Sequence, residues 1–167
     1  MKKNILPFLT ILLLVTGCKK NEETAAFVLS TRVTFSITSV NGTDLLSPQN
    51  SGSIKADDID IFYLKKGVKE RVYEANLDSP EHFSILKTEI GNSFLKKGIY
   101  YFGVMLNEDV NAENISTTYI EIEGRGTDTI TAYISKKPGI VSVQKVWYNG
   151  TLKWKFEDGY PGFELVK

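Results

Sequence analysis

From Phe27 onward the dominant period of the apolar residues is two. That alternation constrains the fold more than any other feature. A period of two turns one face of an extended strand inward and the other to water, whereas a helix needs a period of about 3.6. Phe27, Leu29, Val33, Phe35 and Ile37 fall on odd positions with Ser30, Arg32, Thr34 and Ser36 between them, which predicts one half-buried strand, or two with a bend near Thr31. Ile59, Ile61 and Tyr63 alternate with Asp58, Asp60 and Phe62, and Lys65-Lys66-Gly67 turns the chain into a return strand over 71–75. A weaker strand covers 82–86. Residues 99–106 are almost all apolar, as expected of a central strand covered on both faces. Strands at 117–123 and 129–135 flank the glycine-rich Gly124-Arg125-Gly126-Thr127, and 141–148 turns at Asn149-Gly150, a type I′ dipeptide, into 152–157. Across that turn Trp147 faces Leu152, Lys145 faces Trp154 and Val143 faces Phe156. Val143, Trp147, Leu152, Trp154 and Phe156 then share one face. Between 86 and 95 there is room for one short turn, but Gly91 and its β-branched neighbours disfavour a helix. About nine strands separated by turn residues predict an all-β fold, a single antiparallel β-sandwich over 26–167.

Charge and reactive residues narrow the chemistry. Twenty basic residues balance 20 acidic ones, and a leader carrying Lys2 and Lys3 would leave 18 against 20. No basic excess attracts phosphate, so nucleic acid is not an expected partner. The chain has one Cys and one His, so no metal or other cofactor and no catalytic residue is expected.

Lys2 and Lys3 precede an apolar run over 5–15, interrupted by Pro7 and Thr10, and small residues lead to Cys18. A run this short, broken by proline, suits a cleaved signal helix over 1–17 better than a membrane span. Val15-Thr16-Gly17-Cys18 resembles the lipobox of bacterial lipoproteins, which implies acylation (palmitate among the chains) of Cys18 as the first mature residue. Each buried methylene contributes about 0.8 kcal/mol, so two or three acyl chains anchor a protein durably. The lipid would consume the only thiol, leaving no disulfide. Lys19, Lys20, Asn21, Glu22 and Glu23 resemble the signal that sends lipoproteins of Bacteroidota to the exterior of the outer membrane, the periplasmic face being the alternative. Residues 18–25 read as a lipidated flexible tether.

A second resemblance lies in the body. Phe94-Leu95-Lys96-Lys97-Gly98-Ile99-Tyr100-Tyr101-Phe102-Gly103-Val104 resembles the leucine, glycine, tyrosine and apolar-strand signature of prealbumin-like sandwiches. These are transthyretin-like domains, among them the carboxypeptidase-regulatory-type modules of Bacteroidota surface proteins. Tyr119-Ile120-Glu121-Ile122 into Ile130-Thr131-Ala132-Tyr133-Ile134 fits the closing strands of that module, and Val40-Asn41-Gly42-Thr43-Asp44-Leu45-Leu46 is similar to small lipoproteins of the phylum. The likeness spans about residues 30–135 and implies a prealbumin-like or Ig-like sandwich with no shared active site.

Each candidate site has a plainer reading beside it. His82 follows Pro80-Glu81 at a strand start without a nucleophile-elbow pattern, and reads as a surface or edge histidine. Asp57-Asp58-Ile59-Asp60 lacks the glycine turn and distal Glu of a calcium loop, so it reads as a solvated strand face, as do Glu121 and Glu123. Lys65-Lys66-Gly67, Lys96-Lys97-Gly98 and Lys136-Lys137-Pro138-Gly139 are soluble turns or a basic patch. Trp154, Tyr160 and Phe163 in the aromatic C-terminus are candidates for stacking on a sugar ring, against core packing; Tyr160 to Phe163 form a turn in a tail. Asp128-Thr129-Ile130 resembles the O-glycosylation sequon of Bacteroidota, with Thr129 as acceptor.

If the strands simply alternate in direction, loops 41–57, 76–81, 107–115 and 136–139 and the segment 159–163 collect opposite the tether, where a partner would be met. The sequence thus suggests a non-catalytic accessory or binding module of the cell envelope, for a glycan or an envelope protein. The alternatives are a structural component without a discrete ligand and a carboxylate-dependent glycosidase.

Overall fold

The computed structural model describes residues 28–91 and 94–167. The leader, Cys18, the Lys19 to Glu23 signal and the tether lie outside the described residues. The strands are β1 (Val28–Ser30), β2 (Arg32–Thr38), β3 (Ile59–Lys65), β4 (Val68–Arg71), β5 (Phe83–Lys87), β6 (Tyr100–Met105), β7 (Ile115–Ile122), β8 (Gly126–Lys137), β9 (Ile140–Tyr148), β10 (Thr151–Lys155) and β11 (Gly162–Val166). They form two sheets. The larger runs β1-β9-β8-β7-β3-β4, with β10 on the same edge of β9 as β1, and the smaller runs β11-β2-β6-β5. The all-β expectation holds, and the bend near Thr31 separates β1 from β2.

One apolar core lies between the sheets. Val33, Phe35, Phe83, Phe102 and Val104 of the smaller sheet meet Ile59, Ile61, Ile120, Ile130 and Tyr148 of the larger. Phe35 joins the layers, 5.2 Å from Phe102, 5.0 Å from Phe163 and 5.8 Å from Tyr148 by ring centroid. The even residues of β2, Thr34 and Ser36, are also buried, because the smaller sheet is covered outside. There Phe94 stacks on Tyr160 at 5.7 Å and packs on Tyr101 at 5.8 Å. Gly162 sits directly under Phe94, where a Cβ would strike the ring. The glycine is what lets this aromatic lid lie flat.

Three expectations are corrected. The segment from Tyr160 is not a tail: Gly162–Val166 is a strand parallel to β2, with Phe163 opposite Phe35. Nor do Val143, Trp147, Leu152, Trp154 and Phe156 share a face. Register shifts near Gln144 and Lys153 reset the alternation, so Trp147 still faces Leu152 but Trp154 faces Val146. Val141, Val143, Val146, Tyr148 and Trp154 point inward, while Leu152 and Phe156 are exposed. Finally, the strands do not strictly alternate in direction. The connection over 72–82 crosses from β4 to the smaller sheet and doubles back, so β4 and β5 run the same way. Strands β1 and β11 also pair in parallel with β9 and β2. Loops 76–81, 107–115 and 136–139 and the segment 159–163 therefore lie at the end where β1 starts. The 124–127 and Asn149-Gly150 turns lie opposite, near the 41–57 loop, to which Arg125 is tied through the Gly52 carbonyl.

At that opposite end Asp128 is nearly buried and receives Lys167 Nζ, Tyr148 Oη and Asn149 Nδ2, the last at 2.9 Å. Burial pushes its carboxyl up, but these donors and the lysine charge hold it below the usual 3.8. A depressed carboxyl stabilises the fold fully above its unfolded pKa, and that contribution is lost as pH falls through the folded one. Asp128→Asn is therefore expected to cost about 1–2 kcal/mol at neutral pH. In urea melts the gap to wild type should close as pH drops below about 4. A gap unchanged down to pH 2 would show that the carboxylate's charge contributes nothing.

Candidate functional site

A cleft of about 490 Å³ opens at the end where β1 and β2 start and β3 and β6 finish. The connection over 72–82 forms one wall and the segment after β6 the other. Its surface is mainly apolar, from Leu29, Leu77, Met105 and Leu106, with Tyr63, His82, Glu74 and Glu108 among the polar groups.

Tyr63 is the third inward residue of β3, and its hydroxyl reaches the cleft. A phenol has one proton, and the Met105 carbonyl can only accept, so Tyr63 Oη donates to Met105 O at 2.8 Å. The 2.9 Å contact with His82 Nδ1 must then be donated by the imidazole, which fixes its tautomer. His82 Nε2 lies 3.0 Å from Glu74 Oε1 without an aligned hydrogen bond. Burial, then the charges of Glu108 and Glu74, push the Tyr63 hydroxyl well above its ordinary range and keep it protonated.

Of the surface or edge histidine that its sequence context suggests, the edge part fits, since His82 immediately precedes the edge strand β5, but the side chain is not at the surface. Its side chain is 15% exposed, and its backbone is left-handed at φ 58°, a region that costs a non-glycine residue about 1–3 kcal/mol. Two backbone bonds hold it there, His82 N to Ser79 O at 2.9 Å and Met105 N to His82 O at 2.8 Å. The edge of β6 thus aims the ring at Tyr63.

Asn107 fixes the opposite wall. It is 1% exposed, donates through Nδ2 to Leu64 O at 2.8 Å and Thr117 O at 3.2 Å, and accepts Asp109 N on Oδ1 at 2.9 Å. Its own amide donates to Thr118 Oγ1 at 2.9 Å. One side chain therefore pins the segment carrying Glu108 to both β3 and β7. Tyr63, Glu74, Asn107 and Glu108 are not singled out by sequence reasoning. The one local signal is the abrupt change from the apolar 99–106 run to Asn107-Glu108-Asp109.

The residues expected to bind are placed apart. Trp154 and Phe163 are core residues, 4% and 6% exposed, and cannot stack on a ligand without unfolding their surroundings. Tyr160 is 40% exposed, but one ring face is taken by Phe94 and its hydroxyl donates to Thr34 Oγ1 at 3.3 Å. Thr129 is half-buried in β8, its amide donating to Asn149 Oδ1 at 2.8 Å and its carbonyl accepting Asn149 N at 2.8 Å. Asp57, Asp58, Asp60, Glu121 and Glu123 line a second, shallow depression at the opposite end. There Arg71 pairs with Asp60 at 2.8 Å and Lys69 with Glu121. The lysine turns do not gather into one patch: 65–67 and 136–139 lie at the cleft end and 96–98 opposite, where Lys96 pairs with Glu164 at 2.7 Å. No helix among the described residues is long and apolar enough to cross a membrane. Comparison of the chain with protein-family models, with curated proteins and with solved structures finds no match.

Proposed function

We propose that this protein is a non-catalytic binding module of the cell envelope, held at the outer membrane by lipid on Cys18 and facing the cell exterior. Its body is a single β-sandwich of prealbumin-like or Ig-like kind, and its ligand, a glycan or a group of an envelope protein, is seated in the cleft beside Tyr63. The observation that carries this reading is the cleft itself. Its 490 Å³ falls within the roughly 300–1,000 Å³ of small-ligand sites, and it combines apolar walls with a few convergent polar groups. Cleft residues come from loops held on a rigid two-sheet frame, the usual arrangement for recognition. The lipobox-like Val15-Thr16-Gly17-Cys18 and the following Lys19 to Glu23 support the anchor and the outward address.

The burial of Trp154 and Phe163 favours the second reading, a structural envelope component, because it removes two of three aromatics from ligand contact. A glycan-array screen of the full chain separates the two. Binding is expected in the wild type and lost in Leu77→Glu, a substitution at a half-exposed cleft wall that leaves the core intact. Absence of binding would favour the structural component, and binding indifferent to Leu77→Glu would move the ligand off the cleft. Turnover of an array glycan, abolished by Glu108→Gln, would make the protein a glycosidase instead. In the same preparations, palmitate incorporation is expected in the wild type and absent from Cys18→Ala; equal labelling would refute the anchor.

A further inference from the structure

The charges around the cleft are unequally committed. Arg32 lines it, but its guanidinium crosses the outer face of the smaller sheet over Gly103, where a Cβ would strike it, to donate to Ser84 Oγ. Lys65 turns to Glu70 at 3.7 Å, and His82 is held between Tyr63 and Glu74. Every basic side chain lining the cleft is thus engaged by another group. The carboxylates are not matched in the same way. Asp109 accepts the Lys66 amide at 3.1 Å, whereas Glu108 makes no hydrogen bond or ion pair among the described residues. Glu108 lines the cleft together with Tyr63 and Glu74, and Glu74 faces His82 Nε2 at 3.0 Å. Beside these groups lie the apolar side chains of Leu29, Leu77 and Met105.

A carboxylate without a partner in a cleft of reduced water access attracts a cation more strongly than one in open solvent. The apolar wall adds a contribution from any hydrocarbon laid against it. We infer that the cleft recognises a small organic cation, an ammonium group carried on a short alkyl or aryl arm, with Glu108 taking the ammonium and Leu77 and Met105 the arm. An anion of the same shape meets the unpartnered Glu108 and is disfavoured. This ligand class rests on the cleft being the binding site.

The test uses two probes of similar shape and opposite charge, 2-phenylethylammonium and 3-phenylpropanoate, titrated into the full chain in neutral detergent at low salt. Backbone amide shifts are the readout. The ammonium is expected to move the amides of Tyr63, His82 and Met105, and the carboxylate to leave them in place. Glu108→Gln keeps size and shape while removing the charge, and should weaken the ammonium roughly tenfold, as loss of a charge-assisted contact does. Equal binding of both probes, or Glu108→Gln without effect, would overturn the inferred class while leaving the cleft as the binding site. Silence toward both probes, with an amide spectrum that shows the folded chain, would likewise overturn the class and leave the cleft to be judged by the glycan array.

Discussion

Phe35→Ala is expected to destabilise the protein by about 3–5 kcal/mol, the cost of truncating a fully buried aromatic where the surroundings relax only in part. The reason is positional. Phe35 is 1% exposed and is the one ring that touches Phe102 and Phe163 within its own sheet and Tyr148 across the core. Removing it deprives three aromatics of a partner at once, and the strands that carry them are tied by ladders that cannot move inward to fill the space. For a domain of this size the melting temperature should fall by roughly 10 °C. Phe35→Leu keeps most of the volume and should cost appreciably less. Urea denaturation of the two variants checks both statements, and a loss below about 1 kcal/mol for alanine would show that the sheets are not joined through this residue.

Trp154→Ala should be comparably severe, about 3–5 kcal/mol, and severe for folding rather than for binding. The indole is 4% exposed against Val146 in the larger sheet. Its Nε1 has no acceptor among the described residues, so part of what its burial gains is offset by an unsatisfied donor. Trp154→Phe removes that donor along with some apolar area and is expected to stay within about 1 kcal/mol of wild type. A ligand still bound by Trp154→Phe with unchanged affinity would agree with a buried Trp154. An alanine variant that kept full stability would place the ring at the surface instead.

These two residues also show how much of the fold is legible in the sequence. The inward set of β2 and β3, Val33, Phe35, Ile37, Ile59, Ile61 and Tyr63, is written in plain alternation, and all six are buried. Both I′ positions of the last hairpin have positive φ, 47° at Asn149 and 77° at Gly150, as that dipeptide demands. The alternation fails at Trp154 because a bulge inserts one residue and moves the following side chains to the other face. Nothing in Gln144 or Lys153 announces this. The parallel pairings of β1 and β11 were hidden for another reason: they join segments far apart in the chain, and local pattern carries no record of a distant partner. The cleft is hidden in the same way. Tyr63 obeys the core pattern as Ile61 does, and what sets it apart is a hydroxyl whose partners are His82, just before β5, and Met105 of β6. His82 stands in a left-handed conformation that its neighbours in space, not in sequence, maintain.

The parallel pairing of β11 with β2 has a consequence for how the molecule is made. Thr38 and the Leu165 carbonyl it contacts are 127 residues apart, and synthesis proceeds from the N-terminus. Strand β2 therefore leaves the ribosome well before β11, and one of its edges stays open until the closing strand arrives. An unpaired edge beside rings as large as Phe35 and Phe102 invites foreign strands, and contacts of such separation form slowly. The smaller sheet is thus completed last, making its outer edge the stretch of a newborn chain most in need of a chaperone.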